Sequence, residues 1–135
     1  MAIHKEATEY TAEDFSTMMV TNFEAPYNLC QLAHPLLKES GNGNIVFISS
    51  AAGVIATPSH SIYAATKGAM NQVTKNLACE GAKDNIRVNA VAPAVTRTPM
   101  LEAVEQDPTK KALIDRLLSR TPILVVLESL TRFQH

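Results

Sequence analysis

Glycine is scarce in this chain, five in 135 residues, and none is spaced as G-x-x-x-G-x-G or G-x-G-x-x-G. Such turns let the backbone approach a pyrophosphate at a helix N-terminus, so no dinucleotide cradle is readable here. Gly41 and Gly43 also follow a helical stretch and precede a strand-like one, the reverse of the order a cradle needs. Cysteine is limited to Cys30 and Cys79, far apart and without paired spacing, which points to reduced thiols and a cytoplasmic setting. The histidines, at 4, 34, 60 and 135, lack metal-ligand spacing, and no metal site is expected. A net charge of −1 gives no reason to expect nucleic acid or an anionic membrane as partner. No stretch reaches the roughly 18 consecutive apolar residues of a membrane-spanning helix, and the start has no signal-peptide apolar block. The remaining composition, 46% hydrophobic and 19% charged, suits a soluble globular domain.

The most informative stretch is Asn44 to Lys67, NIVFISSAAGVIATPSHSIYAATK. Ile45–Ile48 is an unbroken apolar run, the pattern of a parallel strand covered on both faces. Ser50 stands where that strand ends. Tyr63 and Lys67 are four apart at the start of a helix, so both project from one face. A strand-end hydroxyl, a phenol and an ammonium can therefore converge where an open α/β sheet binds its ligand. A phenol is a poor acid or base at neutral pH, and an adjacent cation favours its ionised form. The trio thus suits proton transfer: Tyr63 exchanges a proton with a carbonyl or alcohol oxygen, Ser50 holds that oxygen, and Lys67 tunes Tyr63. Taken alone, a Tyr and a Lys at this spacing are more often a surface pair on an amphipathic helix. His60, close by, reads as a solvated loop residue rather than a substrate contact.

Around this stretch the chain predicts alternating helices and strands. Thr11 with Asp14 three residues on signals a helix start, and the helix is expected to run to about Glu39. Leu29, Ala33, Leu36 and Leu37 mark its second-half apolar stripe. Pro26 should kink it or free a carbonyl near Asn22. Gly41-Asn42-Gly43 turns into the strand Asn44–Ser49. The next helix is expected over Ile62–Lys83, with Ala65, Ala69, Val73 and Leu77 on one stripe and Tyr63 and Met70 beside it. Asp84-Asn85 turns into a second strand, Ile86–Ala92, ended by Pro93. Helix then strand, twice, implies parallel pairing. Thr109–Leu118 can form a short helix with Leu113, Ile114, Leu117 and Leu118 on one side.

Three segments, EYTAEDFSTMMVTNFEAPYNLCQLAHPLLK (9–38), GNIVFISSAAG (43–53) and IYAATKGAMNQVTKNLACEGAKDNIRVNAVAP (62–93), together resemble the short-chain dehydrogenase/reductase family, in its plant tropinone-reductase-like branch. The match covers most of positions 9–100 in both motif order and interval. It implies an α/β fold, a partial Rossmann-like doubly wound parallel sheet with two parallel strands flanked by long helices. It implies an NAD(P)(H)-dependent oxidoreductase that reduces a small cyclic ketone to an alcohol, with Tyr63 as proton donor, Ser50 orienting the substrate oxygen, and Lys67 tuning Tyr63 and holding the ribose. Asn22 matches the asparagine that holds a water at a helix kink and completes a proton relay; from its position alone it is an ordinary polar helix residue. Pro93, Val95, Thr96 and Thr98 match the loop that contacts the nicotinamide amide and phosphates. NADP(H) is implied ahead of NAD(H), although the residues that select between them have no counterpart here. The two long helices are those through which family members pair, which implies a homo-oligomer or a mixed oligomer.

Departures from the family matter as much. Ala94 stands where Pro-Gly usually continues, and alanine loses access to positive φ. Gly81 stands where this branch tends to carry tryptophan, which leaves a packing gap. Residues 1–122 correspond to the catalytic half of the domain, and 123–135 form a divergent tail. A change of reading frame or an alternative splice would produce that switch, which comparison of transcript with exons would test. With the glycine cradle missing, activity of this chain alone is doubtful. The alternatives are a non-enzymatic partner that forms mixed dimers with full-length relatives, or a truncated product without a role. Two parallel strands with unpaired outer edges also predict marginal stability and association, unless Ile123–Leu127 covers one edge as a makeshift strand.

Overall fold

The computed structural model describes residues 1–94 and the backbone of 124–127. The first helical run starts with a complete capping box: the Asp14 amide donates to Thr11 Oγ1 at 3.1 Å, and the Thr11 amide donates to Asp14 Oδ2 at 2.9 Å. Lys5 adds an ion pair to Asp14 at 2.6 Å. Helix α1 spans Ala12–Met19, a π-helical turn follows over Val20–Glu24, and α2 spans Ala25–Glu39. The expected disturbance at Pro26 is this π turn. Proline has no N–H to donate back to the Asn22 carbonyl, and the Ala25 amide reaches back to the Val20 carbonyl, five residues earlier.

That turn corrects the apolar stripe expected in α2. One extra residue in a turn rotates everything downstream by about 100°. Of the expected stripe, Leu29 and Leu36 face outward with Leu32, while Leu37 packs on the core with Cys30 and, from the π turn, Phe23. Lys38 and His34 on the same helix bind Asp84 at 2.8 and 3.2 Å, tying α2 to the turn before the second strand.

Strand β1 is Gly43–Ile48, α3 is Ser61–Gly81, and β2 is Ile86–Pro93, with short 3-10 turns at Ala51–Gly53 and Ala82–Asp84. The strands pair in parallel from Gly43↔Ile86 to Ile48↔Val91, as the alternation of elements predicts. Asn85, at φ 54°, makes the left-handed turn into β2, and its side-chain amide bonds the Gly41 carbonyl. Gly43 is needed at its position, since a Cβ there would lie 2.9 Å from an Ile86 side-chain carbon. A third strand, β3 at Leu124–Leu127, runs antiparallel on the outer edge of β2, with Val91↔Val126 in register. This is the makeshift strand expected from Ile123–Leu127, and the sheet order is β1-β2-β3.

A further expectation is corrected. Among the described residues β1 is covered on one face only: Phe47 is buried and Ile45 packs beside it, whereas Val46 and Ile48 are 50% and 62% exposed. Successive strand residues point to opposite faces, and the described helices lie on one of them. In α3 the buried stripe is Thr66, Met70, Thr74 and Ala78, one position along from the Ala65, Ala69, Val73 and Leu77 stripe. Val73 and Leu77 flank it, and Ala65 is exposed. Two threonines hide this stripe from a hydrophobicity reading. Each satisfies its own hydroxyl within the helix, Thr66 on the Tyr63 carbonyl and Thr74 on the Met70 carbonyl, both at 2.7 Å, so each can be buried without an orphaned polar atom. The core is Phe47, Met70, Ala78, Ile86, Val88 and Ala90.

Candidate active site

The carboxyl end of β1 and the first turns of α3 meet at one edge of the sheet. The chain leaves β1 through Ser49, whose amide donates to the Val91 carbonyl at 2.7 Å. Ser50 follows in extended geometry, φ −161° and ψ 153°. Its Oγ accepts the Ala52 amide at 3.2 Å, and its carbonyl accepts the Gly53 amide at 2.9 Å. Ser50 is thus the cap of the Ala51–Gly53 turn. A hydroxyl that accepts in this way keeps its proton to donate elsewhere. Continuing the strand register sets Ser50 level with Pro93, the last residue of β2.

Lys67 spans the gap from α3 to this strand end. Its ammonium donates to the Ile48 carbonyl at 2.8 Å and lies 5.8 Å from the centre of the Tyr63 ring. Burial pushes its pKa below the ordinary lysine range, because desolvation disfavours the charged form. His60 approaches the Tyr63 ring on edge at 6.1 Å between centroids, and it meets the His4 ring at 4.2 Å. His60 Nδ1 lies 2.7 Å from the Pro58 carbonyl, so it carries the proton there. The loop before α3 is tied down by the Tyr10 hydroxyl, 3.0 Å from the Ser59 carbonyl, and by the Lys5 amide at 3.2 Å from the same oxygen.

Asn22 is 6% exposed in the π turn. Its Nδ2 donates to the Met1 carbonyl at 2.8 Å and lies 3.4 Å from Thr66 Oγ1. Its Oδ1 accepts from the Met1 amine at 3.0 Å. Through Thr66, it is linked to the helical turn that carries Tyr63 and Lys67. Val95, Thr96 and Thr98, like the expected helix at Thr109–Leu118, lie outside the described residues.

The structure also names residues that the sequence reading missed. Thr66 lies between Tyr63 and Lys67, fully buried. Ser49 and Asn71 form a polar pair beside Ser50. The repeated serine at the strand end, and an asparagine one turn beyond Lys67, were the available signals.

Two cavities, of about 390 and 400 Å³, lie beside α2 and α3. Neither is lined by Ser50, Tyr63 or Lys67. The first is bordered by Gly81, Cys30 and Leu77, but Gly81 itself is buried and a Cβ there would lie 3.1 Å from the Ile86 carbonyl oxygen, so the packing gap expected at this glycine is not found.

Whether a dinucleotide fits can be asked of the glycines. Gly53 is pressed against α3, where a Cβ would lie 2.7 Å from the Lys67 carbonyl carbon. Gly68 and Gly81 lie within α3, and Gly41 and Gly43 precede or open β1. Gly53 alone follows a strand toward a helix, and it packs on the Lys67–Asn71 turn of α3 rather than at the helix start near Ser61, so the pyrophosphate end of a dinucleotide has no glycine cradle here. Among the described residues no helix is long and apolar enough to cross a membrane, and no group of three or more metal-ligating side chains occurs.

Two parallel strands joined through a long helix, with a phenol and an ammonium one helical turn apart near the strand ends, make a Rossmann-type α/β arrangement. The short chain dehydrogenase family model matches residues 1–109. A tropinone reductase homolog from Datura stramonium is 68% identical over 121 residues, which cover 90% of this chain and 45% of the relative. A gluconate 5-dehydrogenase from Burkholderia cenocepacia, solved with NADP and tartrate, superposes with a TM-score of 0.76 at 27% identity over 81% of this chain and 43% of its own. A 4-hydroxyisoleucine dehydrogenase solved with NADH gives 0.78 at 30% identity over 86% and 48%. The chain belongs to the short-chain dehydrogenase/reductase family, in its plant tropinone-reductase-like branch. It spans about half the length of the curated relatives it matches.

Proposed function

We propose that this chain carries the proton-transfer half of a nicotinamide-dependent reductase that converts a small cyclic ketone to its alcohol, with NADP(H) preferred over NAD(H). The observation that supports it most is the position of the Lys67 ammonium, between the Tyr63 ring and the strand end that leads to Ser50. When bound, the nicotinamide supplies the hydride that reaches the carbonyl carbon. Tyr63 gives its phenolic proton to the carbonyl oxygen, so that hydride and proton together make the alcohol. Ser50 donates a hydrogen bond to the same oxygen. Lys67 places a positive charge beside the phenol and would hold the nicotinamide ribose. Asn22 supports the relay that restores the Tyr63 proton, and Pro93, Val95, Thr96 and Thr98 would flank the nicotinamide.

Titration of the purified chain with NADPH, followed by nicotinamide fluorescence, tests the reading. Saturable binding and ketone-dependent oxidation of NADPH, lost in Tyr63→Phe, would support it. Absence of binding at millimolar NADPH would remove it for this chain acting alone.

A second reading is favoured by the outward stripe of α2, where Leu29, Leu32 and Leu36 are 65%, 75% and 70% exposed. Single exposed leucines are ordinary, but a contiguous stripe marks an interaction face. Through it the chain would pair with a copy of itself or with a longer relative. Co-purification with the longer relative, without NADPH binding by the chain itself, would select this reading.

A further inference from the structure

Two side chains unused by the proposed chemistry join the strand end that bears Ser50 to the helix that bears Tyr63 and Lys67. Ser49 is 3% exposed. Its hydroxyl lies 2.5 Å from Asn71 Oδ1 and 3.2 Å from the Lys67 carbonyl. Asn71 Nδ2 donates to the Gly53 carbonyl at 3.2 Å. The links therefore grip the chain on both sides of Ser50, just before it at Ser49 and just after its turn at Gly53. Both end on the turn of α3 that runs from Lys67 to Asn71. Gly53 permits the approach, because a Cβ would lie 2.9 Å from both Asn71 Nδ2 and the Gly68 amide. The Ser49 hydroxyl is buried and the Asn71 amide half-buried, and polar groups withdrawn from water are costly unless bonded, so this pair tolerates few relative positions of strand and helix.

We propose that Ser49 and Asn71 are positioning residues, a lock that holds the Ser50 turn in register with Tyr63 and Lys67. Its purpose rests on the reductase reading, but its existence does not. Failure to bind NADPH would end that reading and leave the measurements below unaffected.

The test uses variants that remove one link each. Asn71→Asp keeps an acceptor for Ser49 and loses the donor to Gly53. Ser49→Ala loses the other link. Ser49→Thr retains a hydroxyl and is the rescue control. Amide hydrogen exchange at Ala52 and Gly53 and the NMR titration of the Lys67 ammonium are read in each. In Asn71→Asp and Ser49→Ala, exchange at these two amides rises roughly tenfold, as expected for the loss of one hydrogen bond. The amides of the α3 core around Ala78 keep their rates, and Lys67 titrates closer to its ordinary range. Ser49→Thr stays with the wild type in both readouts. Unchanged exchange and Lys67 titration would overturn the lock. So would a uniform acceleration of all amides, which would mean a merely structural contribution. Should Ser49→Ala fail to fold, Asn71→Asp against the wild type decides by the same criteria.

Discussion

The side-chain amide of Asn22 meets the hydroxyl of Thr66 at 3.4 Å, a contact between residues 44 apart in sequence. It ties the π turn of the first helical run to the turn of α3 that carries Tyr63 and Lys67. Thr66 is fully buried and its hydroxyl also donates to the Tyr63 carbonyl.

Replacing that hydroxyl with a methyl group is the direct probe. Thr66→Val preserves shape but leaves Asn22 Nδ2 only its bond to the Met1 carbonyl. A loss of about 1 kcal/mol is expected, the usual net worth of such a hydrogen bond. Urea denaturation of wild type and variant measures it, and an unchanged midpoint would mean the contact carries no stability.

Lys67 should give stability an alkaline dependence. Its pKa is lowered in the folded protein by burial, so between that folded value and the unfolded value of about 10.4 the unfolded chain binds more protons. The cost of holding the charge is present at neutral pH and fades as pH rises through this window. Stability relative to Lys67→Met should therefore increase as pH rises from neutral toward the unfolded lysine value. Denaturant melts of both proteins across that range check the sign. A difference that stays flat or falls would refute it.

Two glycines should respond in opposite directions to alanine. At Gly53 a Cβ would lie 2.7 Å from the backbone of Lys67, whereas at Gly68 the nearest atom is the Gly53 carbonyl oxygen at 3.7 Å, an ordinary contact. Gly53→Ala should destabilise by about 1–3 kcal/mol through overpacking. Gly68→Ala, inside α3, should stabilise by up to about 1 kcal/mol through helix propensity. Thermal melts of the two variants side by side distinguish them, and a shared direction would contradict the packing described.

The outward leucines of α2 predict association. Leu32→Glu should shift the chain toward monomer in size-exclusion light scattering. Because Leu32 is exposed, folding stability measured on the monomer should change by no more than about 0.5 kcal/mol. A wild type that is already monomeric at high concentration would remove the interaction face.

Much of the local structure was legible in the residues themselves. Thr11 and Asp14 cap a helix with their own short side chains, Pro26 lacks an amide wherever it is placed, and Asn85 readily accepts left-handed geometry. The order of elements and the spacing of Ser50, Tyr63 and Lys67 are equally properties of the chain, and they carry the family resemblance without any knowledge of packing. Tertiary structure decided which faces point inward. The π turn rotates α2 so that Leu29, Leu32 and Leu36 face outward, and paired hydroxyls let Thr66 and Thr74 line the buried face of α3. β1 reads as doubly covered, yet Val46 and Ile48 are bare, because burial belongs to whatever packs against a strand rather than to the strand. The pairing of Ser49 with Asn71 likewise exists only once strand and helix are brought together. Capping and turn preferences act within a few residues and are written in the sequence, whereas helix phase, strand coverage and long-range hydrogen bonds depend on surfaces that meet only in the folded chain.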